Sequence, residues 1–176
     1  MLAMAHHTPN FVGVFLDDFF LNEGNAVAGI TLDQIRDIQR QLKGPGKELD
    51  LYITLNVNQL NLPIVDYLKL IDVVSVWTWY TADLANLETN LTRLEKLAPE
   101  ARILLGCYTT EFEAKRTPAW TALPVPAMQH QCEVGLRWLR DGRIDGICIY
   151  GNFLDFDWDA MRWAREWIQR VGETKL

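Results

Sequence analysis

Positive charge, histidine, cysteine and long apolar runs are all scarce in this sequence of 176 residues. Lysine and arginine total 17 against 23 acidic side chains, a formal charge of −6. That balance argues against a nucleic-acid groove, which needs clustered positive charge to neutralise phosphates. No apolar run approaches the roughly 18 residues of a membrane-spanning helix. The opening Met1–Pro9 has neither a basic segment nor a long apolar stretch, so it does not read as a secretory signal, and the expected location is cytoplasmic. His6 and His7 fall at the very start, and His130 stands alone on a helical segment. Cys107, Cys132 and Cys148 lack metal-ligand spacing and would leave one thiol over in any disulfide scheme. Three buried thiols in a reducing compartment is the reading that follows. Neither a cofactor nor a metal is called for by any motif.

What is present describes a packed protein. Hydrophobic residues make up 49% and charged residues 23%, which excludes disorder and collagen-like repeats. At about 100–200 residues per domain, 1–176 reads as a single domain, able to bury roughly 70% of the surface of its unfolded chain. The unusual count is seven tryptophans.

Five short apolar runs suit buried strands: Phe11–Leu16, Leu51–Leu55, Val73–Trp77, Ile103–Cys107 and Ile147–Tyr150. Each is followed by helical spacing. Thr31 and Gln34 form a capping box ahead of Leu32, Ile35, Ile38 and Leu42. Pro63 opens a short helix, and Thr81 caps one striped by Leu84, Leu87, Leu91, Leu94 and Ala98. Met128, Cys132, Gly135, Leu136 and Leu139 line a fourth helix that Gly142 ends, and Ala160, Ala164, Trp167, Ile168 and Val171 line the last. The pattern is α/β: five parallel βα units. Long strand-to-helix loops, above all Thr109–Pro124, and short helix-to-strand loops place a site at the carboxyl ends of the strands.

Three architectures compete. A flavodoxin-like nucleotide fold needs a phosphate loop after the first strand, where this chain has Asp17-Asp18. A phospho-receiver domain resembles that acidic pair. It also needs an Asp after the third strand and a Lys after the fifth, where Trp77-Thr78-Trp79 and Gly151-Asn152-Phe153 stand. The third is part of a (β/α)8 barrel. Strand two alternates Leu51, Ile53, Leu55 with Tyr52, Thr54, Asn56, and strand five does so with Gly146, Cys148, Tyr150 and Asn152. One polar face suits a barrel interior better than a doubly covered sheet. Five units are three short of closure, against about 250 residues for a whole barrel, so the expectation is the β4–β8 part of a (β/α)8 TIM barrel. The alternative is a self-contained open flavodoxin-like (βα)5 sheet.

Val12–Phe20, Asp72–Trp79 and Gln131–Tyr150 resemble strand segments of glycoside-hydrolase-type barrels. The resemblance touches all five units and implies carbohydrate chemistry by analogy. In that light Asp17 or Asp18 is the expected nucleophile or base, with Phe15, Phe19 and Phe20 stripping water from the carboxylate. Because neighbouring strand residues point to opposite sides, at most one of the pair faces the site. Hydrolysis needs a second carboxyl group, about 5 Å away for retention or about 6.5–9.5 Å for inversion. Glu111 is the choice by position, with Glu113 and Glu23 nearby in their loops. Trp77, Trp79, Tyr108 and Tyr150 would stack sugar rings, with Trp120 close in the long loop, while Asn56 and Asn152 would bind hydroxyls. Trp138, Trp163 and Trp167 sit at helical spacing and are assigned to packing.

Asp155, Asp157, Asp159 and Glu166 imitate a calcium loop, but Ala160 stands where its sharp turn needs Gly, so these aspartates are assigned to the start of the last helix. The expected partner is a small-molecule or oligosaccharide substrate, with self-association through open sheet edges as a further possibility. The alternative function is a non-catalytic carbohydrate-binding or interaction domain, or an inactive truncated barrel.

Overall fold

All five apolar runs are strands in the computed structural model, which describes residues 7–21, 27–46, 48–111, 121–150 and 156–172. In chain order the elements are β1 (Gly13–Leu16), α1 (Leu32–Leu42), β2 (Asp50–Asn56), a 3₁₀ turn (Val57–Asn61), α2 (Val65–Leu68) and β3 (Val73–Trp77). A second 3₁₀ segment (Thr81–Asn86) leads into α3 (Leu87–Leu97) and β4 (Arg102–Tyr108). Then come β5 (Thr110–Glu111), β6 (Thr121–Ala122), α4 (Val125–Arg140), β7 (Gly146–Tyr150) and α5 (Asp159–Gly172). The main sheet is parallel with strand order β1-β2-β3-β4-β7, so the chain is built of five parallel βα units. The strands follow one another in chain order, as consecutive units of a barrel do. A doubly wound sheet reverses its order at a switch point. After β4, β5 and β6 pair antiparallel through Thr110↔Ala122 and Glu111↔Thr121.

The chain divides into two compact units. The first comprises Met1–Ser75 and Thr92–Arg102. Within it, Leu51, Ile53 and Leu55 of β2 are fully buried, as are Ile35 of α1 and Ile64. The capping box at Thr31 forms as the sequence predicts: Thr31 Oγ1 accepts from Gln34 N, and Gln34 Oε1 from Thr31 N. Charges tie the amino ends of the strands together. Asp72 accepts hydrogen bonds from Leu51 N at 2.8 Å and from Gln39 at 3.0 Å, and pairs with Lys43 at 3.2 Å. Lys43 also reaches Asp50, which pairs with Arg102. Burial opposes ionisation of Asp72, but these partners outweigh it and hold the carboxyl below its ordinary value.

The second unit comprises Val76–Leu91 and Ile103–Leu176. Gly135 lets α4 approach the sheet: a Cβ there would lie 2.8 Å from Leu105 Cδ2 and 3.1 Å from Ile147 Cδ1. Trp138 is buried and its indole donates to Glu88, which also pairs with Arg143. Gly142 at φ +69° lies just past α4, in the left-handed region open to glycine. In α5, Ala160, Met161, Ala164 and Trp167 are buried, while Ile168, assigned to the same stripe, is exposed. Asp157 and Asp159 pair with Arg162 at the start of α5, and Asp155 lies outside the described residues.

Two helix starts differ from expectation. Thr81 begins a 3₁₀ segment and its hydroxyl is buried without a partner, so it caps nothing, and α3 starts six residues later. The leucine stripe holds nonetheless: Leu84, Leu87, Leu91, Leu94 and Ala98 are all buried. Pro63 precedes Ile64, the N-cap of α2, so it stands outside the helix it was expected to open.

Candidate functional site

In the first unit the candidate residues gather where β1 and β2 end. Parallel register sets Phe15 beside Tyr52. Asp17, just past the end of β1, accepts a 2.6 Å hydrogen bond from Thr54 Oγ1. The same Oδ1 accepts from Asp18 N at 3.1 Å. Asp18 turns the chain away at φ +46°, the only positive φ of a non-glycine among the described residues. Aspartate tolerates this left-handed conformation better than most residues. Both carboxylates are exposed.

The expected shielding by phenylalanine is not found. Phe15 is itself 48% exposed, while Phe19 and Phe20 are buried edge-on against each other and against Tyr67. Their apolar surface is spent in that cluster and leaves the carboxylates in water.

Asn56 is 3% exposed and forms a capping box with Gln59 at the start of the 3₁₀ turn. Its backbone N–H donates to Gln59 Oε1, and Gln59 Nε2 donates to Phe20 O, each at 2.8 Å. Gln59 thus ties the end of β2 to the segment after β1. Ser75 on β3 is also buried, with an unpartnered hydroxyl.

In the second unit three predicted aromatics form one cluster. Trp77 lies 4.7 Å from Tyr108 and 6.1 Å from Tyr150 between ring centroids, and the two tyrosines are 5.8 Å apart. Register explains the meeting, because Tyr108 and Tyr150 are direct neighbours on β4 and β7. The Trp77 indole lies over Gly106, where a Cβ would approach its ring to 2.0 Å. Trp77 is 6% exposed with its Nε1 unpartnered, whereas Tyr150 is 44% exposed. The backbone beneath is pinned: Thr109 N and Oγ1 both donate to Tyr150 O, and Gln131 Nε2 donates to Tyr108 O at 2.7 Å. Buried Gln131 and Gln59 give no sign in the sequence, since an isolated glutamine has no pattern of its own.

Trp79 lies beyond the end of β3 and packs edge-on against Tyr80 at 6.4 Å, so strand alternation does not govern its direction. Glu111 sits on β5 opposite Thr121, partly exposed, in the second unit, while Asp17 and Asp18 belong to the first. Asn152, Glu23, Glu113 and Trp120 lie outside the described residues.

The three cysteines are free thiols, and Cys107 and Cys132 are buried. The sulfur of Cys132 and then burial push the Cys107 thiol well above its ordinary range. Cys148 is exposed, on the face opposite Cys107's neighbours, and not buried as the sequence suggested. Among the described residues no cluster of three or more His, Cys, Asp or Glu could hold a metal ion. No helix among them is long and apolar enough to cross a membrane. No protein-family model, curated protein or solved structure matches the chain.

Proposed function

We propose that the protein binds carbohydrate through the carboxyl ends of its strands, on a plan like that of glycoside-hydrolase barrels. The observation that carries this reading is the cluster of Trp77, Tyr108 and Tyr150, one ring exposed and one indole N–H without a partner. Aromatic planes offer an apolar surface to the C–H face of a sugar, and polar edges fix the orientation of its hydroxyls. Titrating the protein with neutral oligosaccharides while following tryptophan fluorescence tests it. Tyr150→Ala, at an exposed position, should fold normally and bind at least about tenfold more weakly. Unchanged affinity in this variant would remove the proposal.

A second reading, hydrolysis, is favoured by one arrangement: Asp17 is held by Thr54 at a strand end with its other oxygen unbonded. Asp17 would then be nucleophile or base. Turnover of aryl glycosides by Asp17→Asn and Asp18→Asn separates this from binding alone, and Glu111→Gln in the same assay tests the expected general acid. A reacting carboxylate lost to an amide should lower turnover by at least about a hundredfold. Wild-type protein that binds sugar yet turns over none of these substrates supports the binding reading alone.

A further inference from the structure

We infer that the carboxyl ends of β1 and β2 form a distinct saccharide subsite that accepts neutral and amino sugars and rejects acidic ones. The inference deepens the carbohydrate reading and rests on it, but it uses residues outside the Trp77, Tyr108 and Tyr150 cluster.

The apolar part is the pair Phe15 and Tyr52, nearly parallel at 21° with centroids 6.1 Å apart. Gly13 makes this possible. A Cβ there would sit 2.4 Å from Tyr52 Cε2, so the tyrosine ring lies across a position that has no side chain. Phe15 is about half exposed, leaving an aromatic surface open on a sheet face whose reverse side is fully buried at Leu51 and Ile53.

The polar part follows on the same face of β2, where Thr54 and Asn56 alternate with Tyr52, and Thr54 holds Asp17 just past the end of β1. Their hydrogen-bond inventory is set by one charge. Thr54 gives its only hydrogen to Asp17, so its oxygen presents lone pairs. Asp17 uses Oδ1 for Thr54 and Asp18, while Oδ2 has no partner. The Asn56 amide closes the set, with a carbonyl that accepts and an NH2 that donates. The charged group of the set is thus a carboxylate with a free oxygen, and no described lysine or arginine pairs with Asp17. The complementary ligand brings hydroxyl or ammonium hydrogens beside an apolar ring face. A carboxylate or phosphate on the sugar would meet Asp17 as a like charge.

The test uses the full chain labelled with ¹⁵N and titrated separately with methyl glucoside, glucosamine and glucuronate. Methyl glucoside and glucosamine should shift the amides of Phe15, Thr54 and Asn56, with glucuronate at least about tenfold weaker. Asp17→Asn should shrink that discrimination to less than about threefold, and Phe15→Ala should weaken methyl glucoside by about tenfold. Both positions are exposed, and thermal melts check that the variants fold. Shifts confined to the Trp77 indole would overturn this subsite while leaving the carbohydrate reading standing. Shifts at neither place would overturn both. Equal binding of glucuronate would overturn the selection against acidic sugars assigned to Asp17.

Discussion

Gly106 and Trp77 occupy one space: the indole lies where a side chain at 106 would begin, 2.0 Å from an ideal Cβ. Gly106→Ala must therefore move a buried ring that also touches Tyr108 and Tyr150. Overpacking of this kind costs about 1–3 kcal/mol, and the backbone of β4 cannot yield without disturbing its ladder with β7. A lower denaturation midpoint should accompany a changed tryptophan emission maximum. An unaltered spectrum with unaltered stability would show that the indole rests elsewhere in solution.

Asp72 supplies a pH dependence of definite sign. Its folded value lies below the unfolded value of about 3.9, so its stabilisation is fully present above that value and fades as pH falls through the folded one. Melting temperature should drop below about pH 4 in the wild type, and this acid limb should be shallower in Asp72→Asn. At pH 7 the same variant should lose about 1–3 kcal/mol, because its amide pairs less well with Leu51 N and not at all with Lys43 as an ion. Parallel acid limbs in the two proteins would contradict the assignment.

The left-handed turn at Asp18 makes an asymmetric prediction. Valine, β-branched and without a polar tip, should destabilise by about 1–2 kcal/mol at φ +46°. Glycine adopts that conformation freely and should be tolerated within about 1 kcal/mol. Denaturant titrations of the two variants read this directly, and equal losses would exclude backbone conformation as the cause.

The thiols should label in order of access. Cys148 is exposed, though partial burial still pushes its thiol up, whereas Cys107 and Cys132 are enclosed. Iodoacetamide on native protein should modify Cys148 first and slowly, with Cys107 and Cys132 reacting only after denaturant is added. Peptide mass spectrometry resolves the three, and early labelling of Cys107 would refute the packing of β4.

Strands were the most legible part of the sequence. Runs such as Val73–Trp77 are apolar, short and β-branched, and their limits agree with β3 residue for residue. Caps were legible only where both partners announced themselves, as with Thr31 and Gln34; Thr81 has the right residue type but a buried, unbonded hydroxyl. The aromatic cluster could be anticipated from strand ends, because register brings Tyr108 beside Tyr150. The surroundings of Asp17 could not. Whether Phe19 and Phe20 shield a neighbour or each other depends on side-chain direction after the strand ends, where the period of two no longer applies.

The ion pairs among Lys43, Asp50, Asp72 and Arg102 gather at the amino end of β2, and Asp17, Thr54 and Asn56 at its carboxyl end. Substitutions that alter recognition at one end therefore leave the electrostatic clasp at the other untouched. A library randomised at positions 15, 17 and 56 can change what is bound while the amino-end clasp keeps the scaffold standing, and separated sites of this kind combine almost additively.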